Sequence, residues 1–328
     1  MRKKSIWILK VIISGMIAFG VMTGFCMFYY NVPVHSQNKD GATDYSWEAN
    51  KFYSRATEGF AFGKTNNEGY INDVDYNNQD SIDILIMGSS HMEAFQVVKS
   101  ESTSGLLNSL LPEYKIYNIG ISGHDFLVCA DNFSAAINKY KPKKYIVLET
   151  SNLFFTDEQL IDAINENVAE ISSHSSGIIG MLQKNQFLRL SYTQLSSIYN
   201  NSKQNDELTP VKKRGKEENY IELIRKLSDT SSEIDAKLII FYHPSLRIHE
   251  NGNVSIDADE ELVSFFSKNC FENGVIFLDM SNPFIKEYKK KNVLPHGFIN
   301  SSVGSGHLNK HGHKIIAESL YNIIKEEK

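Results

Sequence analysis

The sequence predicts an α/β protein: one parallel sheet of five strands between two layers of helices, behind a single membrane-spanning helix. Three observations predict it. Short apolar runs near 82–87, 115–118, 145–149, 236–242 and 275–279 alternate with helical patterns, the rhythm of right-handed crossovers. The run Ile84 to Met87 is apolar without alternation, as expected of a strand covered on both faces. Finally, Val11 to Tyr30 carries no charge, and about 20 apolar residues suffice to cross a bilayer.

Composition bounds the rest. The 328 residues are enough for one large domain with appendages. A net charge of −5 and the absence of a long basic run argue against a nucleic-acid partner. The three cysteines, Cys26, Cys129 and Cys270, make no disulfide framework. A Cys129–Cys270 bridge is open to them, but both sit on apolar helical patterns and read better as buried thiols. No internal repeat and no paired-cysteine metal motif are present.

Residues 1–36 form a cytoplasmic tip and anchor. Arg2, Lys3 and Lys4 precede the uncharged span, which predicts the N-terminus inside and the bulk of the chain outside the cytoplasm. A cleaved signal peptide is the alternative. The long apolar core and the lack of a small-x-small site favour an uncleaved anchor, and Phe25 spoils Gly24-Phe25-Cys26 as a lipoprotein site. Residues 37–80, rich in Asn, Asp, Gly and Tyr without a sustained period, read as a stalk and surface-hugging lead-in. Residues 81–328 form the domain.

Within the domain, the first strand stops at Gly88-Ser89-Ser90-His91, where glycine permits a sharp turn or close backbone approach. A helix over Ser102–Leu111 ends at Pro112. The second strand leads to Gly120-Ile121-Ser122-Gly123-His124-Asp125, and a helix spans Asp125 to Tyr140. The third strand runs into Thr150-Ser151-Asn152. Residues 153–218 are too long for a strand-to-helix connection and read as an inserted helical cap over the sheet edge, with helical patterns near 157–171 and 178–199. The fourth strand closes on His243-Pro244, where His243 reads as a packing residue. A helix over Ala258–Asn273 and the fifth strand follow, and the last helix starts near Lys310.

Ser90, Gly123, Asn152 and His307 thus follow strand ends or precede the last helix. In a parallel sheet these points share one edge, where open α/β proteins bind ligands. A serine needs a histidine to take its proton, and a tetrahedral intermediate needs fixed donors. The backbone N–H groups of Ser90 and Gly123 and the Asn152 amide are candidate donors for that oxyanion hole. His91 and His124 border the same crevice and are candidates for substrate binding or for simple exposure. His307, His311 and His313 lack a nearby carboxylate, and Asn309 as a helix cap takes His307 off the helix face; a zinc reading fails, and no metal or cofactor is expected.

The motifs resemble the SGNH (GDSL-type) hydrolase superfamily. Gly88-Ser89-Ser90-His91 is similar to its first block, with Ser89 in place of the usual Asp. Asn118-Ile119-Gly120-Ile121-Ser122-Gly123 matches the second block. Leu148-Glu149-Thr150-Ser151-Asn152 resembles the third, without its glycine and one residue short. His307-Leu308-Asn309, with Gly312 and Ala317, resembles the fifth. The resemblance covers residues 82–327. It implies a flavodoxin-like three-layer sandwich, with Ser90 as nucleophile, His307 as base and Gly123 as the oxyanion glycine. The family's acid normally stands three residues before the histidine, where this chain has Gly304. A backbone carbonyl of residues 303–305, ranked first, or Asp279 at the end of the fifth strand would then orient His307.

The expected function is a membrane-anchored, extracytoplasmic serine esterase or O-acyltransferase. Its expected substrate is an acyl, foremost acetyl, ester of a cell-envelope glycan, with a membrane acyl-donor partner open. The alternative is a catalytically inactive glycan-binding or assembly protein that keeps the fold.

Overall fold

The computed structural model describes residues 2–37, 45–78, 81–168, 184–204 and 213–327. The chain opens with α1 (Arg2–Tyr29), whose 24-residue segment Ile6–Tyr29 is apolar, exposed over most of its length and long enough to cross a membrane. Five short strands follow: β1 (Tyr30–Asn31), β2 (His35–Gln37), β3 (Tyr45–Trp47), β4 (Phe52–Arg55) and β5 (Ala61–Lys64). β1, β4 and β5 form an antiparallel sheet, and β2 pairs with β3. The expected stalk is therefore, over its described residues, a packed layer. Val32, Trp47, Tyr53, Ala61 and Ile71 bury themselves against Phe95 and Ile121 of the domain. Strands of two to four residues are too short to show a period of two in sequence.

The domain alternates as expected. β6 (Ile84–Met87) leads to α2 (Ser90–Glu93) and α3 (Thr103–Leu110); β7 (Ile116–Asn118) leads to α4 (Phe126–Asp131) and α5 (Phe133–Tyr140). β8 (Tyr145–Thr150) leads to α6 (Asp157–Ile164), α7 (Gln186–Gln204) and α8 (Glu217–Ser232). β9 (Lys237–Tyr242) precedes a small hairpin, β10 (Leu246–Ile248) with β11 (Val254–Ile256), and α9 (Glu260–Glu272). β12 (Ile276–Asp279), α10 (Ser281–Lys291) and α11 (Lys310–Glu326) complete the chain.

The five-stranded sheet is parallel throughout, in the order β12-β9-β8-β6-β7. This is the flavodoxin-like three-layer arrangement. Alternate residues of each strand point to opposite layers. Leu85, Met87, Ile146, Leu148, Leu238 and Ile240 face α4, α5, α8 and α9. Ile84, Ile86, Val147, Ile239 and Phe241 face α3, α10 and α11. Burial on both faces explains why these strands read as unbroken apolar runs. The strand order reverses at β6, whose neighbours are β7 and β8. Ser90 therefore sits at the switch point where such sheets leave a crevice.

The insertion departs from expectation. α6 lies against α4 and α8. α7 does not cover the sheet edge but packs along the C-terminal half of α1. Phe187 meets Phe19 edge-on with ring centroids 5.9 Å apart, Asn185 bonds to Thr23, and Arg189 bonds to the Pro33 carbonyl. Predicted helical residues near 169–183 lie outside the described residues. The three cysteines are free and buried.

Candidate active site

Ser90 and His307, 217 residues apart, meet at the C-terminal edge of the sheet with Ser90 Oγ 2.9 Å from His307 Nε2. Local chemistry places each. Ser89 Oγ accepts the His91 N–H at 3.3 Å and caps α2, so Ser90 is its first residue. Gly88 is required by close approach: a Cβ there would lie 2.7 Å from both Glu149 Cβ and Met92 Cγ. Asn309 caps α11 through Oδ1, accepting from His311 and Gly312, and its Nδ2 donates to the Leu294 and Gly297 carbonyls. His307 is thus held just outside the helix, as the sequence implied.

Neither expected orienting group serves His307. The group that meets His307 Nδ1 is Glu58, on the turn between β4 and β5, a residue sequence reading missed. Its Oε2 lies 2.6 Å from His307 Nδ1, and its Oε1 accepts the His307 backbone N–H at 3.0 Å. Burial alone would raise the Glu58 carboxyl; the His307 hydrogen bonds and charge, with Arg55, outweigh it and hold the group below its usual range. Gly306 makes the approach possible. Its φ is +89°, and a Cβ there would stand 2.6 Å from Glu58 Oε1. Asn300 fixes the turn from the other side. Its Oδ1 accepts the Gly59 N–H, and its Nδ2 donates to the Ala56 and Gly59 carbonyls.

Asp279 caps a different element: its Oδ1 accepts from the N–H and hydroxyl of Ser281, in a separate cleft of about 390 Å³ beside Phe277 and Ile285. The carbonyls of 303–305 are not the partner either, because Nδ1 already donates to Glu58. Gly304 has φ +86°, a backbone that disfavours an Asp.

The expected oxyanion donors divide. Among the described residues, neither the Ser90 nor the Gly123 backbone N–H is hydrogen-bonded. Gly123 takes φ +95°, which glycine alone adopts easily. Asn152 instead turns into its own loop: Nδ2 donates to the Phe154 carbonyl and Oδ1 accepts the Phe154 N–H, both at 2.9 Å.

Glu149, one residue before the end of β8, does more than the sequence suggested. Fully buried, it accepts the Ser89 N–H at 2.7 Å and the His243 Nε2–H at 2.6 Å. Burial raises its carboxyl, and the bonds and charge from His243 and Ser89 outweigh that, leaving it below the usual range. It fixes the turn that carries Ser90. His243 is thus hydrogen-bonded on both ring nitrogens as well as packed. His91 Nδ1 accepts the Leu308 N–H at 3.2 Å, tying the Ser90 turn to the His307 loop. Burial, then the neighbouring His243 and His307, depress His91 well below the ordinary histidine range. His124 is buried rather than lining the crevice, and burial with His35 nearby lowers it to about 4.

Ring nitrogens of His91, His243 and His296 lie within 4.8 Å of one another and are the described residues nearest to a metal set. His91 and His243 each use one ring nitrogen as a hydrogen-bond acceptor. The Leu308 N–H on His91 Nδ1 requires the tautomer with a proton on Nε2. His243 Nδ1 faces His296 Nε2 at 3.3 Å, and His296 Nδ1 has no hydrogen-bond partner among the described residues to orient it as a ligand. Of the three, His243 and His296 are hydrogen-bonded to each other, and His243 to Glu149.

No family model matches the chain. No curated protein matches it. Among solved structures, the chain is similar to an α/β hydrolase enzyme from the metagenome of Lake Arreo, Spain, at 14% identity and TM-score 0.40, over 75% of this chain and 97% of that one. It is also similar to an acetyl xylan esterase, at 16% identity and TM-score 0.40, over 74% of this chain and 99% of that one. A third is a two-domain esterase active on acetylated mannans, at 11% identity and TM-score 0.41, over 75% of this chain and 49% of that one. The functional reading therefore rests on the geometry of the site.

Proposed function

We propose that this chain is a serine esterase or O-acyltransferase of the SGNH type, with Ser90 as nucleophile, His307 as base and Glu58 as orienting acid. One observation carries it: an unbroken path from Ser90 Oγ to His307 Nε2 and from His307 Nδ1 to Glu58, at 2.9 and 2.6 Å. Ser90 Oγ attacks the acyl carbonyl as its proton passes to Nε2. Glu58 stabilises the imidazolium that forms. The carbonyl oxygen becomes negative and is received by the N–H groups of Ser90 and Gly123. The intermediate collapses, the C–O bond to the alcohol breaks, and Nε2 returns the proton to the departing oxygen. Water, or a hydroxyl of a sugar acceptor, then gives its proton to His307 Nε2 and attacks the acyl-Ser90 ester; the acyl–Oγ bond breaks and Nε2 returns the proton to Ser90 Oγ.

The substrate in this reading is an acyl, foremost acetyl, ester of a cell-envelope glycan, and the domain is held outside the cytoplasm by an uncleaved α1. The length and apolarity of α1 and the basic residues before it support the anchor. Protease added to intact cells should then digest the domain; complete protection would reverse the orientation.

A fluorophosphonate probe tests the nucleophile: labelling that disappears in Ser90→Ala is expected, and a folded chain that takes no label would make this a binding protein instead. Either Ser90→Ala or His307→Ala should lower hydrolysis of an acetyl ester by roughly 10⁴–10⁶, and the double variant should be little worse, because the two share one proton transfer. Full activity in Ser90→Ala would end the assignment.

A further inference from the structure

We propose that the mouth of the Ser90 site lies on the membrane surface, and that its substrate is an ester presented there: an acyl group on the headgroup of a membrane lipid or lipid-linked glycan. This rests on the anchor and esterase readings above and narrows the substrate class. The chain passes from α1 into β1 with no linker, since Tyr29 ends the helix and Tyr30 begins the strand. β1 pairs with β4, Tyr30 opposite Arg55 and Asn31 opposite Ser54. Two further bonds tie β4 to the last turn of the helix. Ser54 Oγ donates to the Met27 carbonyl at 2.8 Å, and the Ala56 N–H donates to the Tyr29 carbonyl at 2.9 Å. Glu58 stands two residues beyond Ala56. The acid of the site is therefore on a turn bonded directly to the outer end of the span.

The surface around that turn suits a bilayer. Phe62 is the registered partner of Ser54, so it shares the face that meets α1, and it is 56% exposed. Phe60, its ring 6.1 Å from that of Phe62, is 63% exposed. Asn300 clamps the loop before His307 to the same turn. That loop holds out Ile299, 99% exposed, and Val303, 68% exposed. Four large apolar side chains thus project from the two segments that carry Glu58 and His307. Singly, exposed apolar residues mean little; gathered at the end of a membrane helix they form an interfacial patch. A water-soluble ester gains nothing from such a rim, whereas a lipid headgroup is brought to Ser90 by the plane it already occupies.

The test uses the full chain in phosphatidylcholine–phosphatidylglycerol vesicles. A fluorophore is placed on Phe62→Cys, Ile299→Cys or Phe271→Cys, the native thiols being buried. Phe271 is exposed at the end of α9, on the opposite edge of the sheet. Lipids carrying a spin label at headgroup depth should quench positions 62 and 299 at least about threefold more than 271, as a patch seated in the interface requires. Equal quenching overturns the surface. For the substrate, the ratio of kcat/KM on an acetylated lipid in the vesicle to that on a soluble acetyl ester is measured. Ile299→Ser with Val303→Ser should lower this ratio roughly tenfold, the worth of the apolar area withdrawn from lipid; an unchanged ratio overturns the substrate class. Quenching at 62 and 299 with no turnover of either ester upholds the surface while rejecting the esterase reading and the substrate class with it.

Discussion

Glu58 grips His307 twice, by ring and by backbone, and so sets both the tautomer and the position of the imidazole. Replacing it by glutamine keeps the shape but offers an amide that favours the wrong tautomer. Glu58→Gln should lower kcat by about 10³–10⁴ with KM little changed. Asp279→Asn should change kcat by less than about twofold, because Asp279 bonds to Ser281 instead. A tenfold loss there would reinstate it as the acid. Gly304→Asp should bring no gain: the backbone is left-handed and His307 Nδ1 is already paired. Gly306→Ala should push Glu58 away and lower kcat while the fold persists, which circular dichroism would verify. None of these roles was visible locally. Glu58 has no motif around it, and its distance from His307 in sequence is 249 residues.

At the level of elements, the antiparallel sheet of β1, β4 and β5 is a working part of the site rather than a tether. Phe95, on the turn after α2, locks it to the domain, with ring centroids 4.5 Å from Tyr53 and 5.4 Å from Trp47. Trp47 in turn donates to buried Glu93 at 2.5 Å, which also receives the Ser122 N–H and hydroxyl. Phe95→Ala should cost about 3–5 kcal/mol in denaturant unfolding. Activity should fall in the fraction that remains folded, since the Glu58 turn loses its floor. A chain starting at residue 30 keeps β1 and should hydrolyse a soluble acetyl ester. One starting at residue 81 lacks Glu58 and the sheet and should not; full activity in that shorter chain would remove Glu58 from the mechanism. The domain strands were legible because they are buried on both faces and apolar throughout. The lead-in strands were not, because each offers two to four residues with one exposed face.

Across the whole molecule, histidines buried in neutral form make stability depend on pH. Burial lowers His124 to about 4, and burial with neighbouring histidines lowers His296 and His313 to about 3 and His91 well below its usual value. The unfolded chain binds protons on these groups near 6.5 while the folded chain refuses them. The folded form therefore loses stability as pH falls from about 6.5 toward 4, and His124 alone accounts for on the order of 3 kcal/mol of that by about pH 4. Glu58 and Glu149, held below their usual range, lose their contribution as pH falls further. Glu93 opposes them: burial raises its carboxyl, so its contribution is lost as pH rises instead. The histidines dominate in number, and Tm should fall steadily between pH 6.5 and 4. His124→Asn, if folded, should flatten that slope; a Tm independent of pH over the window would refute the account.

The five strands, their parallel pairing, the turn that delivers Ser90 and the histidine before the last helix are all written in the order of residues. Each rests on local physics: apolar runs covered on both faces, glycine where backbones meet, a capping asparagine. Contacts formed on folding decided which carboxylate holds His307, that Asn152 bonds within its own loop, and that the Glu149–His243 pair braces the Ser90 turn. Such partners are chosen by proximity in space between segments distant along the chain, and any of several carboxylates could have been placed there. The same is true of α1. Its length was plain in the sequence, but its bonds to the turn carrying Glu58 exist only because β1 continues the helix into the sheet beside the active site.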